Sequence, residues 1–175
     1  MSGSIAPTPN LSIREQALEA LVTLFKTMTT TLPVDDPYPI QFDFVQRAPL
    51  DEKSWQKRYT MGVHDVVEKP DIQASVTYRK LAVVCEFRCQ LYASPGNGAP
   101  PEDPSVVGNM MLGALQRRLY DNSTGLGNNL GGLIVYMEET GNEIFVTDFE
   151  KRQLSGALFI DLYYRTRTTD PRFQS

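Results

Sequence analysis

The chain predicts an α+β fold: a mixed or antiparallel β-sheet with two main helices packed against it and a β-meander closing the C-terminus. Three observations predict it. Apolar residues recur at helical spacing near 13–30 and 104–120, they alternate with polar residues at strand period in several other stretches, and the order is helix, strands, helix, strands. A length of 175 residues favours one domain, and 41% hydrophobic with 22% charged residues is the balance of a chain that builds a core. We divide it into a flexible N-terminal arm at 1–11, an α+β domain at 12–166 and a C-terminal tail at 167–175.

The arm mixes Gly3, Pro7 and Pro9 with little apolar content. Ser12 and Glu15 have the spacing of a capping box, and Ile13, Ala17, Leu21, Leu24, Phe25 and Met28 follow as one buried stripe, closed by Leu32-Pro33. Ile40, Phe42 and Phe44 alternate with Gln41 and Asp43 as a half-buried strand. Residues 47–57 read as loop. Tyr59, Met61, Val63, Asp65 and Val67 form a second alternation that ends at Lys69-Pro70-Asp71. The third is the strongest, with Leu81, Val83, Cys85, Phe87, Cys89 and Leu91 on one face and Glu86, Arg88 and Gln90 on the other.

The stretch 94–104 holds too much proline and glycine for a regular element and is long for a connection, so it reads as a functional or disordered loop. Asp103-Pro104 supplies an N-cap and a first-turn proline for a helix to about Tyr120, with Val107, Met111, Leu115 and Leu119 buried. The Asn- and Gly-rich run 121–132 reads as a helix stop and mobile loop. Three strands are expected after it: 133–139 and 143–149, joined as a tight hairpin by Gly141-Asn142, and 154–166. In the last strand both Leu158, Ile160, Leu162, Tyr164 and the opposite row Ala157, Phe159, Asp161, Tyr163, Arg165 are bulky, which predicts cover on both sides.

The chemistry-bearing residues are sparse. Seventeen basic against 21 acidic side chains give a formal charge of -4, which argues against tight nucleic-acid binding. No apolar run reaches the ~20 residues of a membrane span, and residues 1–10 lack a secretory signal, so a protein made and kept in a cytoplasm is expected, with no membrane partner. Cys85 and Cys89, four apart in one strand, are too distant to bridge and read as reduced core thiols. A metal site would have to draw on one histidine, His64, as would any Ser-His or Cys-His pair, and no serine sits in a nucleophile elbow. His64 reads as a half-exposed strand residue. The glycines at 125, 127 and 131 follow a helix and precede a strand, the reverse of a dinucleotide-binding turn. No catalytic residue, cofactor or metal is assigned. Glu138, Glu139, Glu143, Asp148 and Glu150, with no basic residue from 133 to 150, read as a solubilising acidic hairpin, Glu138 and Glu139 pointing to opposite faces. The aromatics Trp55, Tyr59, Tyr163, Tyr164 and Phe173 lack a basic groove and read as core or subunit contacts, while Arg165, Arg167 and Arg172 make the tail locally basic.

Leu130-Gly131-Gly132, the 143–149 strand, Tyr164-Arg165-Thr166 and Asp170-Pro171 resemble the tail terminator, or tail completion, proteins of long-tailed bacteriophages. The layout resembles that family too, from a first helix like Arg14-Glu15-Gln16-Ala17-Leu18-Glu19-Ala20-Leu21 through a second like 104–120 to the closing strands; 47–58 and 93–104 do not map onto it. The resemblance implies a non-enzymatic virion protein at the head-proximal end of the tail, a homo-oligomer, expected as a hexameric ring. Its implied partners are the tail tube protein and a head-tail connector or completion protein, with double-stranded DNA passing through the lumen. A globule of this length has a radius of gyration of about 16 Å, and six in a ring leave a hole on the order of 40 Å. Candidate subunit or tube contacts are Trp55, Tyr59, Pro95, Pro100, Pro101, Arg165, Arg167, Asp170 and Arg172; candidate lumen-facing acids are Glu138, Glu139 and Glu143. The alternatives are another neck or tail ring component, such as a head completion or tube protein, and a small-molecule enzyme whose site the sequence does not reveal, for which His64 is the residue to test.

Overall fold

Alternation along three long strands decides the architecture. The computed structural model describes residues 11–29, 40–51, 57–70, 78–92, 102–121, 127–148, 150 and 152–166. Helix α1 (Ile13–Lys26) precedes strands β1 (Phe44–Gln46), β2 (Tyr59–Pro70) and β3 (Tyr78–Gln90); helix α2 (Pro104–Tyr120) then leads to β4 (Tyr136–Asp148) and β5 (Gln153–Arg165). The sheet order is β1-β2-β3-β5-β4, with β1 parallel to β2 and every other pair antiparallel. This is the expected α+β fold, a five-stranded mixed sheet with two helices. Leu81, Val83, Cys85, Phe87 and Cys89 of β3 lie opposite Leu162, Ile160, Leu158, Gly156 and Leu154 of β5, and these side chains join both helices in one buried cluster. Burying one face of each element against the other is what holds the two layers together.

Both helix starts form as the sequence predicts. Ser12 Oγ accepts from the Glu15 amide at 3.2 Å, and Asp103 accepts from the Ser105 amide at 2.8 Å with Pro104 in the first turn. Only half of the first capping box closes, because the Glu15 carboxylate lies instead 3.4 Å from Arg47 Nη2. The expected stripes, Ile13 to Met28 and Val107 to Leu119, are buried.

Four expectations change. First, 133–149 is not a hairpin. Gly141 and Asn142 sit inside β4, paired with Phe159 and Leu158, and β4 runs through bulges at Glu139/Gly141 and Val146/Asp148. The closing unit is therefore a β4–β5 hairpin, with Asp148 paired to Gln153 and Arg152 at φ 52°; thirteen residues of partner strand outweigh a two-residue turn signal. Second, strand β1 begins only at Phe44. Asp43 donates its amide to Tyr59 O at 2.9 Å and accepts the Tyr59 amide on its carboxylate at 3.0 Å, the chain bends there, and Phe44 turns 41% exposed while Val45 goes inward. Third, a bulge between Asp65 and Val67 shifts the register of β2, leaving Val66 and Val67 exposed. Fourth, the described part of the glycine run is an ordered 3-10 segment, Gly127–Gly132, in which Leu130 is fully buried at φ 50° and Gly131 and Gly132 also have positive φ. Leu130 plugs the core, which holds that turn.

The face of the sheet away from the helices is only partly covered. Residues 47–51 cross it over Gly62, where a Cβ would collide with Ala48 O, and Leu50 donates its amide to Glu86 at 3.1 Å. Arg88 donates to Asp51 O at 2.9 Å and to Leu50 O at 3.1 Å, holding the crossing segment down.

Candidate interaction surface

The two edges of the sheet differ. On one side β1 contributes three residues, and the neighbouring margin carries an ion-pair network: Arg14 with Asp65 and Glu68, Arg47 with Asp65 at 2.7 Å, and Arg79 near Glu68. Cations and carboxylates there compensate one another, so the cluster ties α1 to the sheet. On the other side β4 presents thirteen residues, and no described strand pairs with its outer edge.

Register sorts the acidic residues of β4. Glu138 and Glu143 lie opposite Asp161 and Ala157 on the open face. Glu139 lies opposite Ile160 on the helix face, where Gln116 of α2 donates to its two oxygens at 2.9 and 3.0 Å and Asn142 donates at 2.9 Å. The three candidate lumen acids are thus on one strand but on two faces, and they lie along an edge, not at a hairpin tip. Beside them Tyr136 stacks on Tyr163 with centroids 4.3 Å apart, and Lys80 pairs with the buried Asp161 at 2.5 Å. The Asp161 hydrogen bond raises the Lys80 pKa, so these two charges on the open face compensate one another. Arg165 ends β5 exposed, its guanidinium 4.5 Å from the Tyr78 ring centroid.

Tyr59 belongs to a different cluster at the opposite end of β5. The Arg58 guanidinium lies between the Tyr59 and Tyr92 rings, 4.7 and 4.1 Å from their centroids, and 2.5 Å from Glu102. Glu102 accepts the Tyr92 amide at 2.8 Å, and Arg152 donates to Glu102 O at 2.6 Å. Burial first, then Cys89, pushes the Tyr59 hydroxyl to about 12, so the ring works here as a packed partner for Arg58. This clasp joins the end of β3 to the start of α2. Next to it a depression of about 370 Å³ is lined by Pro104, Ser105, Asn109, Ile144, Phe145 and Leu154. Asp103 also borders it, but its carboxylate is engaged by Ser105, whose hydrogen bonds hold its pKa below the usual range.

Trp55, Pro95, Pro100, Pro101, Arg167, Asp170, Arg172 and Phe173 lie outside the described residues. Both tyrosines are buried, Tyr164 on the helix face and Tyr163 on the open face. His64 is half-buried on that face opposite Val84; Cys85, the next residue along β3, points to the other side, so strand geometry separates imidazole from thiol. Burial lowers the His64 pKa, and burial raises both Cys85 and Cys89 to about 12. Among the described residues there is no group of three metal-ligating side chains, and no helix is long and apolar enough to cross a membrane. The clasp and the exposed β4 edge escape a sequence reading, because each depends on which strands become neighbours. No protein-family model matches the chain, and no curated protein matches it in sequence.

Proposed function

We propose that the chain is a structural virion protein that assembles side by side into a ring on the end of a bacteriophage tail tube, ending tube growth and offering a surface to the head connector. The observation that carries this reading is the inequality of the two sheet edges. A ring needs a heterologous contact, in which one side of each copy meets a different side of the next. A three-residue parallel edge bordered by ion pairs and a thirteen-residue edge with which no described strand pairs supply two unlike sides. The motif resemblance in the first and last thirds of the chain supports the same reading and supplies its tail-end location.

Solution mass by light scattering, read with negative-stain images, tests it: a mass of six copies and an annulus are expected, and virions lacking the protein should carry tails of uncontrolled length. A persistent monomer, together with normal, head-joined tails in the mutant, overturns the proposal. Mutants with tails of correct length that fail to join heads would assign the chain to head completion instead.

A further inference from the structure

We infer that the outer edge of β4 is the docking site for the basic segment 167–172 of a second copy, which adds to the sheet as a further strand. The inference rests on the ring reading, since it needs copies side by side. No described strand pairs with this edge, and apart from the Glu139 amide, which donates to the Tyr120 hydroxyl at 3.3 Å, its backbone donors and acceptors are what an added strand would satisfy. Charge selects the strand. Between 133 and 150 the chain has five carboxylates and no basic residue, and Glu138 and Glu143 are exposed along β4. Two such edges brought together repel, and the bulges at Glu139/Gly141 and Val146/Asp148 twist the edge away from a flat self-pairing. The segment Arg167-Thr168-Thr169-Asp170-Pro171-Arg172, which follows β5 and Thr166, has the opposite character: two arginines against one aspartate, two β-branched threonines, and a proline that limits the added strand to about its first four residues.

Geometry favours a second copy over the segment's own edge. Strand β5 leaves the sheet beside the start of β4, with Tyr163 opposite Tyr136. To reach the outer edge of its own β4 the chain must cross two strand spacings, roughly 10 Å, and reverse direction. That crossing uses about three or four residues, and Pro171 then blocks what is left. A segment arriving from a neighbour has no such constraint.

The test uses the full chain and two charge reversals, Arg167→Glu with Arg172→Glu, and Glu138→Lys with Glu143→Lys. All four side chains are outside the buried core or outside the described residues, and circular dichroism with urea midpoints checks that each variant folds. Expected are a rise of about tenfold or more in the concentration at which each variant assembles, faster amide exchange over 136–148, and recovery of both when the two sets are combined. Unchanged assembly in either reversed set, or no recovery on combining them, overturns the inference. So does protection of the β4 amides in a chain diluted to monomer, which would make the segment's own edge the acceptor. A hexamer whose β4 amides exchange freely removes this inference and leaves the ring reading standing; a monomer at every concentration removes both.

Discussion

Arg118 of α2 donates from Nε to the carbonyl of Leu24 at 3.1 Å, so the second helix closes the end of the first. Its Nη2 donates to Thr27 Oγ1 at 2.6 Å, and Asp121 stands 3.8 Å from Nη1. Only 6% of the residue is exposed. The last carbonyls of a helix lack internal partners and carry partial negative charge, so a guanidinium laid across them compensates both deficits. Burial lowers the Arg118 pKa and the Asp121 carboxylate opposes that shift, leaving a charged group. We expect Arg118→Ala to destabilise the fold by about 2 to 3 kcal/mol, through the loss of the buried charge-assisted bonds to Leu24 O and Thr27 Oγ1. Arg118→Lys should recover only part of this, because an ammonium lacks the fork that reaches two acceptors. Urea unfolding followed by circular dichroism reads both.

Gly156 lies opposite Phe87, and a Cβ there would collide with the Phe87 ring and with Glu143 O. At Gly108 of α2 a Cβ would meet Ile144 Cγ2 at 2.7 Å. The first glycine lets an aromatic ring lie flat across the central strands; the second lets α2 approach β4. Gly156→Ala is expected to cost about 1 to 3 kcal/mol by overpacking, because backbone as well as side chain would have to move. Gly108→Ala should cost less, since Ile144 is only half-buried and the methyl also improves helix propensity. Thermal midpoints of the two variants give the order.

Gly141 separates the two readings of the closing strands. A type I′ or II′ turn needs positive φ at its glycine, so a side chain there would be strained. Inside β4 the nearest atom to a Cβ at Gly141 is Phe159 Cδ2 at 3.8 Å, an ordinary contact. Gly141→Ala should therefore be neutral or stabilising by up to about 1 kcal/mol, because it restricts the unfolded chain without straining the folded one. A loss of 1 kcal/mol or more would restore the turn.

This position also shows what could be read from the sequence and what could not. The inward row of β3 was legible because six apolar residues alternate without interruption, and both helices were legible because their caps and stripes agree. The bend at Asp43 and the bulge before Val67 were not, since each is made by a backbone partner on another strand. The same holds for the candidate surface: the acidic run 138–150 was visible as composition, but whether it capped a turn or lined an edge depended on β5 pairing along its whole length. The Arg58–Glu102 clasp joins residues 44 apart in sequence and left no local pattern.

The buried thiols predict an alkaline limit to stability. Cys85 is completely enclosed and Cys89 lies in the same core row, and burial raises both from an ordinary 9.0 to about 12. Between those values the unfolded chain releases protons that the folded chain retains, so the unfolded state binds fewer protons and stability falls as pH rises. The decline begins near pH 9 and steepens from about pH 10, where Tyr59, also raised to about 12 chiefly by burial, joins in. Urea midpoints from pH 8 to 10.5 should fall continuously, and Cys85→Ala should flatten the slope while lowering the midpoint at pH 8 through the small cavity it leaves. A slope unchanged by that substitution would mean that the Cys85 thiol ionises as readily in the folded chain as in the unfolded one. A thiol reagent at pH 8 provides the second readout: reaction with both cysteines should wait on unfolding, because the core excludes the reagent and the thiolate that would attack it is suppressed there.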